Sequence, residues 1–217
     1  MKDRWVTMLT ASDKITETKQ LITPRGMVFI EGPVSKEYLA TLNMNDRLRN
    51  FRNPARQKEA LMIAASSPEG LVYIARHAQE IIGYVLFHKP SEYTRWSRHP
   101  RLLELGAIEV SRSWQRMGIA KELLQQAFKN EMLEDYVVIT TEFFWHWDLE
   151  GSGLDTFGYQ RMLTRLFGSA GFKRRGTDDP EILEHPANML MVRFGKRVSK
   201  VHVKAFEDLT YQNSLVD

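Results

Sequence analysis

Residues 102–128, LLELGAIEVSRSWQRMGIAKELLQQAF, constrain the fold more than any other stretch of the chain. The first nine residues read as a strand apolar enough to be buried on both faces. After a short turn, Ala120, Leu123, Leu124, Ala127 and Phe128 recur at helical spacing and make one apolar face. Between strand and helix lies Gln115-x-x-Gly118-x-Ala120, so the start of the helix is kept bare. First-turn amides have no partner inside a helix. With small side chains around them, several can converge on one anion, and the helix dipole adds to the attraction. The pattern therefore predicts a phosphate cradle. Its structural alternative is a glycine used for tight strand–helix packing. No Gly-Lys-Ser/Thr follows, so this is not a P-loop, and the first glycine of a dinucleotide fingerprint is missing.

The remaining elements follow from the same kind of reading. Residues 1–18 are polar and aperiodic and are expected to form a flexible arm, leaving 19–217 as a single domain. LITPRGMVFIEGP (21–33) reads as a strand broken near Pro24 and Gly26, and SKEYLATLNM has helical spacing. Asn53-Pro54 marks an N-cap with proline at the first helical position, and that helix should run to about Ala65. LVYIAR (71–76) and EIIGYVLF (80–87) predict a hairpin, and YVVITTEFF (136–144) another buried strand. Residues 155–170 predict a helix with Tyr159, Met162, Leu163, Leu166 and Phe167 inward, ended by Gly171. NMLMVRFG (188–195) is a late strand, followed by a polar, helical C-terminal extension. The order of elements predicts an α/β protein with a central mixed sheet flanked by helices.

Several functions are excluded or disfavoured by composition. The 217 residues include no cysteine, which rules out disulfides, thiolate metal sites and a cysteine nucleophile and fits a reducing cytoplasm. No apolar run approaches the roughly 18 residues of a membrane span, and MKDRWVTMLTASDK has no apolar core of a secretory signal. RLRNFRNPARQK (47–58) holds five basic residues and no acid. It is either a solvated helix face or a docking surface for an anionic ligand or acidic partner. A net charge of +3 argues against nucleic-acid binding.

The strand LLELGAIEV, the turn SRSWQRMGIA and the helix KELLQQAF resemble the acyl-CoA-binding core of the Gcn5-related N-acetyltransferase (GNAT) superfamily. EIIGYVLF resembles that fold's third strand, and SAGF (169–172) the end of its fourth helix. A closer resemblance is to the acetoin-utilisation acetyltransferases of the AcuA type. It is carried by TTEFFWHWDLEG (140–151), TDDPEILEHPANMLMVRFGKRVS (177–199), IEGPVS and LELGAIEV. The resemblance implies acetyl-CoA as cosubstrate, no metal, and a protein partner, AMP-forming acetyl-CoA synthetase, whose active-site lysine is acetylated so that the enzyme is silenced.

It also implies roles for individual residues. Backbone groups of Ile108 and Val110 would pair with the pantetheine arm. The amides of Gln115, Arg116, Met117, Gly118, Ile119 and Ala120 would hold the pyrophosphate. A lysine has an ordinary pKa near 10.4, so the acceptor needs a base or a desolvating site. Glu104 lies six residues before Val110, where many superfamily members carry a glutamate. Strand alternation would put Glu104 on the face of Val110 and Glu109 on the other. Either carboxylate could instead only pair with an arginine. Where many relatives have a tyrosine acid for the leaving thiolate, this chain has Phe167, and Tyr159 lies two turns upstream.

Trp145, His146 and Asp148 are expected either to pack structurally or to wall a groove for the protein substrate, with Asp148 orienting the lysine. Thr177, Asp178 and Asp179 shape a turn or contact the partner, and Gly195 ends the last strand near the site. The spacing of His146, His185 and the neighbouring acids matches no common metal-ligand pattern. Two other readings share the fold: a small-molecule amine N-acetyltransferase with a closed acceptor pocket, and a non-catalytic acyl-CoA sensor that binds its partner through the 47–58 face.

Overall fold

The computed structural model describes residues 17–212, and most of the expected N-terminal arm lies outside them. Glu17 and Thr18 are not arm but the first residues of β1 (Glu17–Thr23), which pairs with β2 (Gly26–Gly32) in an antiparallel hairpin. The stretch read as one broken strand is therefore two strands joined at Pro24-Arg25. Next come α1 (Lys36–Thr41), the short β3 (Asn43–Met44) and α2 (Pro54–Ser66), the last capped by Asn53, whose side chain accepts from the Arg56 amide. β4 (Leu71–His77) and β5 (Glu80–His88) form the predicted hairpin. β6 (Leu102–Val110) leads through the Gln115–Gly118 turn into α3 (Ile119–Ala127).

β7 (Val137–Glu142) ends before the expected Phe143 and Phe144, which begin a short 3-10 turn. α4 (Leu149–Ser152) and α5 (Thr156–Gly168) follow, then β8 (Lys173–Arg175), α6 (Pro180–Leu183), β9 (Met189–Phe194) and α7 (Lys200–Thr210). The strands form a nine-stranded mixed sheet in the order β1-β2-β4-β5-β6-β7-β9-β8, with β3 added to β5.

Alternation along the strands sorts the core into two faces. Leu71, Tyr73, Val138, Met189 and Met191 pack with Leu123, Leu124 and Ala127 of α3 and Leu163 and Phe167 of α5. On the other face Val72 and Ile74 pack with Leu39, Leu61 and Ala65 of α1 and α2. Val137, Ile139, Leu190 and Val192 pack there with Phe206 of α7. Phe167 is fully buried, whereas Met162 points outward and is 37% exposed.

Two features of β6 create a gap in the sheet. Its parallel pairing with β7 stops after Leu102–Val137, Leu103–Val138 and Glu104–Ile139, although both strands continue. In its pairing with β5 the register shifts, with Leu105 opposite Phe87 and Ala107 opposite Leu86, so Gly106 is the extra residue of a bulge. A bulge bends its strand and strengthens the local twist. Beyond it β6 follows β5 while β7 follows β9, and the two part.

Candidate active site

The gap is lined from both faces of the sheet. A cavity of about 440 Å³ on the α3–α5 side is bounded by Ile108, Glu109 and Val110 of β6, by Gln115, Arg116, Gly118, Ile119 and Ala120, and by Tyr159 and Leu163 of α5. A neck of about 70 Å³ runs from it past Ile108, Glu142, Trp147 and Tyr159 to Asn50, Phe51 and His146. A side recess of about 210 Å³ reaches Arg47, Arg49 and Arg112. Ile108 and Tyr159 border all three spaces, so they form one cleft through the sheet.

The bare start of α3 has a backbone reason. Gly118 sits at φ +79° and Arg116 at φ +62°, both in the left-handed region, which costs an L residue with a side chain about 1–2 kcal/mol. A Cβ added to Gly118 would meet nothing within 4 Å. Tight packing is therefore not why glycine stands there. The turn needs the conformation, and it opens onto the cavity. Gly118 is the N-cap of α3 with no side-chain cap bond, so the first-turn amides are left for another acceptor. Alternating left-handed residues also make the backbone nests that bind anions. Five of the six residues from Gln115 to Ala120 border the cavity. Met117 packs against the core instead.

The mouth of the neck is held by a set of hydrogen bonds. Asn50 donates its amide to Glu109 Oε1 at 2.9 Å and its Nδ2 to the His146 carbonyl at 2.8 Å. The fully buried Tyr84 donates to Glu109 Oε2 at 2.7 Å. Asn45 accepts from the Ser111 hydroxyl, and Arg47 donates to Ser113. Glu109 is thus a latch joining β5, β6 and the 45–53 segment. Burial still pushes its carboxyl above the usual range, against those donors.

Glu104 and Glu109 share a face, contrary to simple alternation. Leu103 and Leu105 lie with Ile108 and Val110 on the α3–α5 side, while Ala107 packs on the α1–α2 side. The bulge at Gly106 reverses the parity, so Glu104 and Val110 lie on opposite faces. Glu104 Oε1 accepts from Thr141 Oγ1 at 3.1 Å and is not among the residues bordering the cleft.

Glu142 was not singled out by the sequence reading, yet it lines the neck. Its Oε1 accepts from Thr140 Oγ1 at 2.8 Å and its Oε2 from Trp147 Nε1 at 3.3 Å. Burial is the main cause that pushes its pKa up to about 7; these two bonds oppose the shift and the charge of Glu104 adds to it. Tyr159 stacks on Trp147 at 5.2 Å between ring centroids, and burial raises its phenol as well. Phe167, two turns on, is core and does not border the cleft.

The other sequence-predicted residues fall into two groups. Asp148 borders the cavity, but its carboxylate is a two-pronged partner of Arg112 at 2.6 and 3.0 Å and accepts the Gly151 amide, so it closes the mouth. His146 borders the neck, whereas Trp145 stacks on Phe143 outside it. The structure does not bring Thr177, Asp178, Asp179 or Gly195 to the cleft. Thr177 and the Asp178 amide bind the Thr210 carbonyl, and Arg95 pairs with Asp178 and Asp179, fixing the end of α7. These residues lie on the segment after β8, at the far edge of the sheet. Gly195 follows Phe194, which pairs with Val137 at the opposite end of β7 from Glu142. A side chain at Gly195 would collide with the Glu134 backbone. Among the described residues no cluster of three His, Cys, Asp or Glu could hold a metal, and no helix is long and apolar enough to cross a membrane.

Comparison with known proteins gives this architecture a class. The acetyltransferase (GNAT) family matches residues 39–142. An acetyltransferase of the GNAT family from Streptococcus pneumoniae shares the fold at a TM-score of 0.51 with 15% identity, over 76% of this chain and 98% of that one. The protein is an N-acetyltransferase of the GNAT class. Acetoin utilization protein AcuA of Bacillus licheniformis is 42% identical over 92% of this chain and 96% of its own. That of Bacillus subtilis is 40% identical over 91% and 95%. The crystal structure of an acetoin utilization protein from Exiguobacterium sibiricum superposes at a TM-score of 0.91 with 42% identity, covering 94% and 97% of the two chains. The chain belongs to the AcuA family.

Proposed function

We propose that the protein transfers the acetyl group of acetyl-CoA to a lysine of AMP-forming acetyl-CoA synthetase in the cytoplasm, and so silences that enzyme. The acceptor's identity is supported by the AcuA resemblance, and its chemical class by the cleft. Acetyl-CoA fits the 440 Å³ side: the uncapped amides from Gly118 onward suit a pyrophosphate, and β6 beyond Glu104 has an edge unpaired by β7. That edge suits the amides of a pantetheine arm laid along Ile108–Val110.

The observation that carries a protein acceptor is the 70 Å³ neck. Pockets for whole small molecules run to about 300–1,000 Å³. A neck this narrow admits an unbranched amine-tipped chain whose owner stays outside. In the recess beside it, Arg47 and Arg49 are in no ion pair among the described residues, which favours an acidic surface around the target lysine. Within the neck the amine nitrogen bonds to the thioester carbonyl carbon and the carbon–sulfur bond breaks. Tyr159 is the acid for the departing thiolate in this reading, taking the role that Phe167 is unable to fill.

The test is to incubate the purified protein with labelled acetyl-CoA and an AMP-forming acetyl-CoA synthetase. Label on the synthetase with matching loss of its activity is expected. Label only on free amines would replace the protein acceptor with a small one.

A further inference from the structure

We propose that Glu142, held between Thr140 and Trp147 at the neck of the cleft, takes the proton from the attacking ammonium group. This rests on the acetyl-transfer reading above and assigns one step within it. Neither of the two glutamates marked by the sequence occupies that position. Glu109 already accepts from Asn50 and Tyr84, and Glu104 is turned to the other face under Thr141.

Position is the first argument. Glu142 borders the same narrow space as Ile108 and Tyr159, where the two substrates have to meet. Its backbone is fixed by pairing with Met189 on β9, and its carboxylate by one bond to each oxygen. A carboxylate has about four lone-pair sites, so two fixed donors orient it and leave room for a third, the ammonium.

The lack of a cation is the second argument. Among the described residues no lysine or arginine pairs with Glu142. Glu142 is half-buried, and a carboxylate drawn out of water without a partner is costly. Here the missing cation is the one the substrate brings. The other titratable groups facing the cleft are Tyr159 from α5, Glu109 from the end of β6, and His146 and Asp148 after β7, with Arg116 and Lys121 at the 440 Å³ side and Arg47, Arg49 and Arg112 at the outer recess. Glu104 acts on Glu142 from across β6 and β7, and its negative charge makes Glu142 a stronger base.

The proton balance is simple. The ammonium gives one proton to Glu142 and becomes an amine. Its lone pair forms the nitrogen–carbon bond, and the carbon–sulfur bond breaks with its electrons going to sulfur. The second nitrogen proton is matched by the one the thiolate receives, so amide and free thiol result. Glu142 then returns its proton to solvent.

The test is the pH dependence of kcat/KM, with acetyl-CoA and the synthetase as substrates, for wild type, Glu142→Gln and Thr140→Val. In the wild type, activity should rise with pH through an acid limb near 7 as Glu142 ionises. Glu142→Gln should lose that limb and fall about 10²-fold or more at pH 7.5, with acetyl-CoA affinity unchanged. Thr140→Val removes a bond that favours the ionised form, so its limb should move to higher pH. This second variant serves if Glu142→Gln does not fold. A wild type that transfers no acetyl group sinks the acetyl-transfer reading and this assignment with it. A wild type that transfers, with both variants keeping the acid limb in place, sinks the assignment of Glu142 alone.

Discussion

Glu104 and Val110 lie on opposite faces of β6 although six residues separate them, because Gly106 is an extra residue in the pairing with β5. The bulge parts β6 from β7 and turns Glu104 away from the face of Val110. The adjacent Thr140 and Thr141 point to opposite faces of β7: one bonds Glu142, the other Glu104.

The Glu109 latch should be measurable through Tyr84. Tyr84→Phe removes the buried donor to Glu109 Oε2 and leaves backbone donors at Asn50 and Arg49. Urea unfolding should show a loss of about 1–2 kcal/mol. The KM for the protein acceptor should rise, since the 45–53 segment shapes its mouth, while the KM for acetyl-CoA stays within twofold. Equal changes in both constants would contradict the latch.

Two glycines should behave in opposite ways. Gly118→Ala places a methyl in open space at φ +79°, so it should cost only about 1 kcal/mol of stability. It should nonetheless weaken acetyl-CoA binding about tenfold by calorimetry, because the methyl intrudes beside the first-turn amides. Gly195→Ala drives a methyl into the Glu134 backbone and should cost more than about 2 kcal/mol. The acetyl-CoA affinity of its folded fraction should be that of the wild type.

Glu142 should also leave a mark on stability. Its carboxyl titrates at about 7 in the folded protein against an ordinary value of 4.5. Below pH 4.5 the group is protonated in folded and unfolded chains and costs nothing. Between pH 4.5 and 7 the unfolded chain ionises while the folded one does not, and above 7 the folded state bears a charge held partly out of water, so stability from this group is lost over that window. Glu142→Gln should therefore be more stable than wild type at pH 8 by on the order of 2 kcal/mol, a difference that vanishes near pH 4. Thermal unfolding at the two pH values measures it, and a less stable variant at pH 8 would contradict the burial of the charge.

Much of this architecture is legible in the sequence. The continuous apolar run of β6, the bare turn and the apolar face of α3 depend on local pattern, and local pattern placed them correctly. The bulge had its signal too: a glycine inside a strand pattern, here Gly106, often marks one. Read as plain alternation, however, it sends Glu104 to the wrong face. Glu142 carried no local mark, because its place at the neck comes from Trp147 folding back over the end of β7 and from β6 bending away to open the gap. Thr177, Asp178 and Asp179 are open to two readings, a turn or a partner contact, and in the structure they bond to Thr210 and Arg95 at the end of α7. Spacing along the chain does not distinguish a polar cluster that binds a partner from one that binds a helix end.

The most direct test of the central claim is to map the acetyl group. The protein, loaded with acetyl-CoA labelled in the acetyl carbon, is mixed with the synthetase for a single turnover, and modified lysines are identified by tandem mass spectrometry. The account predicts one label on one active-site lysine of the synthetase, in proportion to the activity lost. Labels scattered over surface lysines at the rate of acetyl-CoA alone, or none despite full loading, would contradict it.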